Sequence, residues 1–144
     1  MALDPERIPV IAVAAMNDVH QHEARLLNSL LARLHRCAAE GGSWADLDGP
    51  LEELLRHMKT HFAAEEARML AEGFAPYPVH KAEHDRMLVR AADAAGAWRE
   101  RRDSAALQAF LERTLPDWLL QHISTMDAVT AQYLHARECA TVGA

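Results

Sequence analysis

Four stretches of this chain repeat apolar residues at intervals of three and four, and only short breaks separate them. The first runs from Asp18 to about Ala39 and is closed by Gly41 and Gly42. A second, which Asp46 or Asp48 can cap, runs to about Glu72 and stops at Gly73. After the linker FAPYP a third begins near Pro78, whose fixed φ suits a first helical position, and ends at about Arg101. Ser104 can cap the fourth. This last stretch carries Pro116 in its interior, and Thr114 to Asp117 look like a capping box that restarts it, so a kink or break is expected there before a final helix to about Arg137. Four amphipathic helices joined by short loops have one economical arrangement: an all-α, up-down-up-down four-helix bundle. Residues 1–16 read as an extended N-terminal arm packed on a bundle of about 17–137, within a single domain spanning 1–144.

The composition agrees with this reading. Half the residues are apolar and a quarter charged, as in a globular protein rich in helix formers. A net charge of −6 argues against nucleic acid or an anionic membrane as partner. The longest apolar run, Ile8 to Met16, is broken by Pro9 and has no basic segment before it, so no membrane insertion is expected and a cytoplasmic location is the default. Cys37 and Cys139 fall at opposite ends of such a bundle, too far apart for a disulfide within one subunit.

Nine histidines are a rich supply, and the helical period sorts them. On the first helix Leu27, Leu30, Leu31 and Leu34 mark the buried face, and stepping back along it reaches Glu23 and His20. His22 shares the opposite face with Arg25, Ser29 and Arg33, while His35 lies beside the stripe, partly covered. On the second helix His61 and Glu65 fall among Leu51, Leu54, Met58 and Met69, with His57 on the flank. The third places His80 and His84 on the face continued by Leu88, Ala91, Ala95 and Trp98, and the fourth places His122 beneath Leu111, Leu115 and Trp118. Any one of these could be a hydrogen-bonded core histidine. Five together, with a buried glutamate and a nearby aspartate, are costly to bury unless a cation binds them.

Imidazoles with carboxylates and no thiolate suit iron, manganese, zinc or copper, and two carboxylates among several histidines can hold two divalent ions. A position left open on one of them would bind or reduce a small molecule. Asp127, five residues after His122, resists this scheme: a regular helix turns its side chain about 140° away. A π-bulge or loosened turn between the two is therefore expected.

The strings MNDVH (Met16 to His20), HFAAEE (His61 to Glu66), HKAEH (His80 to His84) and WLLQHISTMD (Trp118 to Asp127) resemble the hemerythrin family, and its bacterial single-domain members most closely. They fall on all four helices in the family's order. The resemblance implies a non-haem di-iron centre, bridged by an oxo or hydroxo group, that binds dioxygen reversibly for storage, delivery or sensing. It implies His80, His84 and His122 on one iron, His20 and His61 on the second, and Glu65 and Asp127 bridging, with Glu66 outside the site. Phe62, Trp118, Ile123 and Met126 become candidates for a dry oxygen pocket.

Two positions depart from the family's pattern. Asn17 replaces a common aspartate, and Glu23 stands where the family usually has a leucine of the oxygen pocket. Glu23 can ligate the second iron or hydrogen-bond to what binds there, or it can turn away to an arginine or to water. The first would move the chemistry toward a di-iron redox enzyme of peroxidase, oxidase or nitric oxide reductase type, the rival to an oxygen-binding protein. A metal-free bundle for protein interaction is the third alternative, and the buried charges oppose it.

Overall fold

The computed structural model describes residues 3–143; Met1, Ala2 and Ala144, the outermost residues of the expected arm and domain, lie outside them. Among the described residues there are helices and turns and no strand. Helix α1 spans Ala14–Glu40, α2 Asp48–Ala71 and α3 Tyr77–Arg101. The fourth rod is α4 (Ser104–Ala109), a π turn (Phe110–Thr114), α5 (Leu115–His122), a second π turn (Ile123–Asp127) and α6 (Ala128–Gly143). Each rod packs on the next in sequence, and α4 with its π turn closes on α1. The expected four-helix bundle is the architecture found; α1 begins at Ala14, ahead of the expected Asp18, so the arm is shorter than 1–16, and it carries a 3₁₀ turn at Pro5–Arg7. No helix among the described residues is long and apolar enough to cross a membrane.

The helix ends show where local signals won or lost. Gly41 caps α1 in the left-handed conformation at φ 71°, and Gly73, at φ 66°, ends α2. Neither Asp46 nor Asp48 caps α2, which instead continues from a 3₁₀ turn over Trp44–Leu47. Asp48 accepts from Trp98 Nε1 at 3.0 Å and from Arg102 at 2.6 Å, tying the start of α2 to the end of α3. Asp103, one residue before the expected Ser104, caps α4 by accepting from the Ala106 N–H.

Pro116 does not restart the helix. Thr114 is helical at φ −59° and makes no capping bond, and Leu115 N–H reaches back five residues to the Phe110 carbonyl. The widened turn accommodates a residue that has no N–H and whose ring would crowd the carbonyl four back. The rod then continues past the expected Arg137 to Gly143.

Burial along the rods explains how four separate strings meet. In α1 the polar inward residues, His20 and Glu23, precede the apolar ones, Leu27 to Leu34; in α2 the apolar Leu51 to Met58 precede His61 and Glu65. The order reverses again in α3, where His80 and His84 precede Ala91 to Trp98, and in the fourth rod, where Leu107 to Leu119 precede His122 and Asp127. Alternating direction along an up-down-up-down bundle therefore gathers every polar inward residue at one end and the aliphatic core at the other. On α3 Met87 is buried and Leu88, expected there, is only half covered.

The arm runs along α1 and is held by Asn17, Gln21 and Asn28, Gln21 Nε2 donating to the Pro5 carbonyl at 3.0 Å. Asn17 Nδ2 donates to the Ile11 carbonyl and its Oδ1 accepts from the Ile11 N–H, both at 2.9 Å. Asn28 grips Leu3 in the same two-point way, at 3.0 and 2.7 Å. An aspartate could only accept, so the departure at Asn17 supplies the donor this clamp needs. Leu3, Ile8, Ile11 and Val13 are thereby buried.

Candidate metal centre

His61 with Glu65 and His80 with His84 are each four residues apart, so both pairs lie on the inward face of their helix. Asp127 reaches the same centre because the turn Ile123–Asp127 is π, with Ala128 N–H bonded to the Ile123 carbonyl five residues back. The irregularity expected from the five-residue spacing is present, and it brings Asp127 Oδ1 to 3.1 Å from His122 Nε2.

Three imidazoles converge. His122 Nε2 lies 3.1 Å from both His80 Nε2 and His84 Nε2. Their outer nitrogens show which atoms carry protons. His84 Nδ1 faces Glu66 Oε2 at 2.8 Å, and a carboxylate there can only accept, so Nδ1 is the donor. His80 Nδ1 lies 2.8 Å from Thr130 Oγ1, and that hydroxyl is directed in turn at Met69 Sδ, 4.0 Å away, which makes it the acceptor for the ring. With Nδ1 protonated, the Nε2 lone pairs of neutral rings face one another at hydrogen-bond distance with no hydrogen between them. A cation resolves that repulsion.

Two carboxylates run between this set and a second one. Glu65 Oε1 lies 3.1 Å from His80 Nε2, while its Oε2 lies 3.7 Å from His61 Nε2. Asp127 Oδ1 lies 3.1 Å from His80 Nε2 as well as from His122 Nε2, and its Oδ2 lies 2.9 Å from His20 Nε2. Glu65 Oε1 and Asp127 Oδ1 are buried without a hydrogen-bond partner. Glu65, His80, His84, His122 and Asp127 form one group with metal-ligand spacing, and His20, His61 and Glu65 form a second. The seven residues expected as ligands are thus brought together, and the donor set fits one or two hard-to-intermediate cations.

Charge within the centre follows from these contacts. Burial would lower the His80 pKa, but Asp127 and Glu65 outweigh it and raise it to about 9. At His61 burial is likewise overcome, here by Glu23 first and then Glu65 and Asp127, and the value again reaches about 9. Asp127, which burial alone would raise, is held well below the carboxylate range by His122, His20 and His80. Without a cation, protons on the imidazoles take its place beside the carboxylates.

The expected pocket residues divide between interior and rim. Phe62 is buried and stacks on His84, with ring centroids 4.0 Å apart and planes 6° from parallel. Trp118 stacks on His122 at 4.3 Å but is half exposed, its Nε1–H directed at Glu83. Ile123 is buried, whereas Met126 is half exposed and lines an outer cleft with Glu83, Trp118 and Thr125. On the other side a groove lined by Ala15, Met16, Val19, Ala64 and Leu134 reaches His61 and Glu65.

Several side chains sit elsewhere than expected. Glu23 is 0% exposed and turns neither to an arginine nor to water; its Oε1 lies 3.3 Å from His61 Nδ1 and 3.5 Å from His57 Nδ1. His57, read as a flank residue, therefore faces a buried carboxylate. Glu66, read as outside the site, is the acceptor for His84. Thr130 was not singled out at all, although it stands eight residues, about two turns, after His122. His22 is exposed as expected, and His35 is exposed rather than partly covered.

The model of the hemerythrin HHE cation binding domain matches residues 12–134. The chain is 33% identical over 134 residues to a bacteriohemerythrin of Aquifex aeolicus (strain VF5), covering 93% of this chain and 98% of that protein. It is 34% identical over 107 residues to a bacteriohemerythrin of Ralstonia nicotianae (strain ATCC BAA-1114 / GMI1000), covering 69% and 72%. A bacteriohemerythrin of Methylococcus capsulatus (strain ATCC 33009 / NCIMB 11132 / Bath) is 30% identical, with 74% and 79% covered. No solved structure matches.

Proposed function

This chain belongs to the hemerythrin family, and we propose that it is a non-haem di-iron protein that binds dioxygen for storage, delivery or sensing. One observation carries the reading: Glu65 and Asp127 each present one oxygen to the His80–His84–His122 set and the other to His20 or His61. A carboxylate divided between two imidazole sets is suited to joining two cations. His80, His84 and His122 would hold one iron, and His20 and His61 the second, with both carboxylates shared.

Held by these residues, two ferrous ions would supply the electrons for reversible binding of dioxygen. The chain's own residues determine whether that exchange stays reversible. The second set has one imidazole fewer than the first, so a small ligand would have room at His20 and His61. Glu66 and Thr130 hold the tautomers that aim His84 and His80 inward. Phe62 and Trp118 cover the outer faces of His84 and His122, which shields the three-histidine set from water.

Glu23 favours a second reading, a di-iron redox enzyme acting on peroxide, dioxygen or nitric oxide. A buried anion beside His61 replaces apolar wall, and an anion near a metal favours its oxidised state. One experiment separates the readings: count the metal in the purified protein, reduce it anaerobically, add oxygen and record the optical spectrum. Two irons and a reversible charge-transfer band are expected. Fast irreversible oxidation, with steady-state turnover of peroxide or nitric oxide, would replace the carrier by the enzyme, and absence of iron would defeat both.

A further inference from the structure

Glu23, on α1, and His57 and His61, one turn apart on α2, form a cluster that shares only His61 with the two iron sets. It is unusual in its energetics: Glu23 is completely buried, and neither its oxygens nor Nδ1 of His57 and His61 makes a hydrogen bond of normal geometry, so the cluster is joined by ion-pair contacts of 3.3 Å to His61 and 3.5 Å to His57. A carboxylate in that setting is held by the two imidazoles that face it or not at all. Its place relative to the iron set is equally specific. His61 directs Nε2 to Glu65 and Nδ1 to Glu23, and the groups with metal-ligand spacing are His20–His61–Glu65 on one side and Glu23–His57–His61 on the other. Glu23 therefore stands behind His61, across the ring from the position where an iron would be bound.

We propose that Glu23 is a positioning residue for the second iron: it accepts the Nδ1–H of His61, with His57 as its other partner, and so orients and strengthens that ligand. The proposal rests on the di-iron reading above. If Nε2 of His61 gives its lone pair to iron, Nδ1 carries the ring's hydrogen and needs an acceptor in a dry interior, and Glu23 Oε1 at 3.3 Å is the group in place. An ionised acceptor pulls on that hydrogen, makes the imidazole a better donor and favours ferric over ferrous iron. His57, with 18% of its side chain exposed, supports Glu23 from the solvent side. The three-histidine iron has its own partners in Glu66 and Thr130, so the effect is confined to one metal. Glu23 thus tunes the second iron without filling its open position.

The iron-loaded protein and its Glu23→Gln variant, which keeps shape and removes the charge, test this. Three quantities are read: release of each iron to a chelator, the midpoint potential of the pair, and azide binding to the oxidised protein. The variant should release one of two irons about 10–100-fold faster, with the other unchanged, and its midpoint potential should rise. His57→Gln should shift the same two quantities in the same direction by less, and azide should bind wild type and variant alike. Unchanged release and potential in Glu23→Gln would overturn the proposal, since a mere filler of the core would move neither. Azide binding by the variant but not by wild type would also overturn it, placing Glu23 at the open position as a ligand, and so would a third metal equivalent lost with the carboxylate. A wild-type protein holding fewer than two irons fails the di-iron reading itself, and that is visible before any variant is made.

Discussion

The two halves of the centre are built to different tolerances. Around His80, His84 and His122 the partners that fix His80 and His84 lie at 2.8 Å, aromatic rings lie flat on His84 and His122, and exposure is 4% or less. Around His20 and His61 the outer partners are missing: His20 holds Asp127 at 2.9 Å, but His61 Nε2 is 3.7 Å from Glu65, and Nδ1 of neither ring has a hydrogen-bond partner, the nearest acceptor to His61 Nδ1 being Glu23 at 3.3 Å. His61 and Glu65 are also the most exposed of the seven, at 8% and 7%, beneath the groove between Met16 and Leu134. Tight outer partners determine a tautomer and a ring angle before any metal arrives. Looser ones leave room for a coordination shell to change, which is what binding a small ligand requires. On the proposed di-iron reading, the first half is the anchor and the second the working position.

That contrast can be broken outright at the residue both halves share. Asp127→Ala removes the oxygens facing His20, His80 and His122, and iron stoichiometry should fall from two to one or none on metal analysis; retention of two would show that the halves do not depend on a common carboxylate. A smaller effect is expected on the anchor alone. Glu66→Gln leaves His84 without its anionic acceptor, and retention of one iron should weaken by about 10–100-fold, read by chelator competition, while release of the other stays as in wild type.

Acidity treats the halves alike. His61 and His80 both have pKa values raised from 6.5 to about 9 by their carboxylate neighbours, against the opposing effect of burial. Their contribution to the metal-free fold is complete below 6.5 and is lost as the pH rises through 9. Glu23 has the opposite sign. Burial opposes its ionisation, His61 and His57 outweigh that, and its pKa falls to about 2, so its contribution is present above 4.5 and is lost on acidification. The metal-free protein should therefore melt roughly 5–10 °C lower at pH 9 than at pH 6, whereas metal retention should improve over the same interval because ligands must be deprotonated. A melting temperature flat across that range would mean that the imidazoles are not paired with these carboxylates. The smallest expected change is Thr130→Val, which removes the acceptor for His80 and should cost about 1 kcal/mol, seen as a severalfold faster loss of iron from the anchoring half.

Much of this was legible along the chain, and the failures share a cause. Periodicity reports the angle of a residue around its own helix. It therefore separated His20 from His22, put His61 and Glu65 inward, and revealed by the misfit of Asp127 that the fourth rod must widen by a residue. It could not report how far a side chain reaches across to a neighbour. Glu66 is a full 100° from Glu65 on α2, yet α3 packs along that flank and brings His84 Nδ1 to it. His57 was assigned to the edge of the stripe, and only α1 opposite, carrying Glu23, made that edge a partner. At helix ends Asp48 had two uses, cap or tie, and the approach of Trp98 and Arg102 selected the tie.

By itself the amino-acid sequence determined which residues face inward and at which end of each helix they stand, because both follow from a period of 3.6 and from the order of polar and apolar segments. The antiparallel bundle then follows from burying the apolar stripes. Which nitrogen of an imidazole meets which acceptor was decided only by tertiary structure: tautomers are set by contacts of 2.8 Å between helices, for example His84 with Glu66 and His80 with Thr130. The residues that would bind metal were thus readable in one dimension, while those that hold the ligands in place depend on interhelical distances.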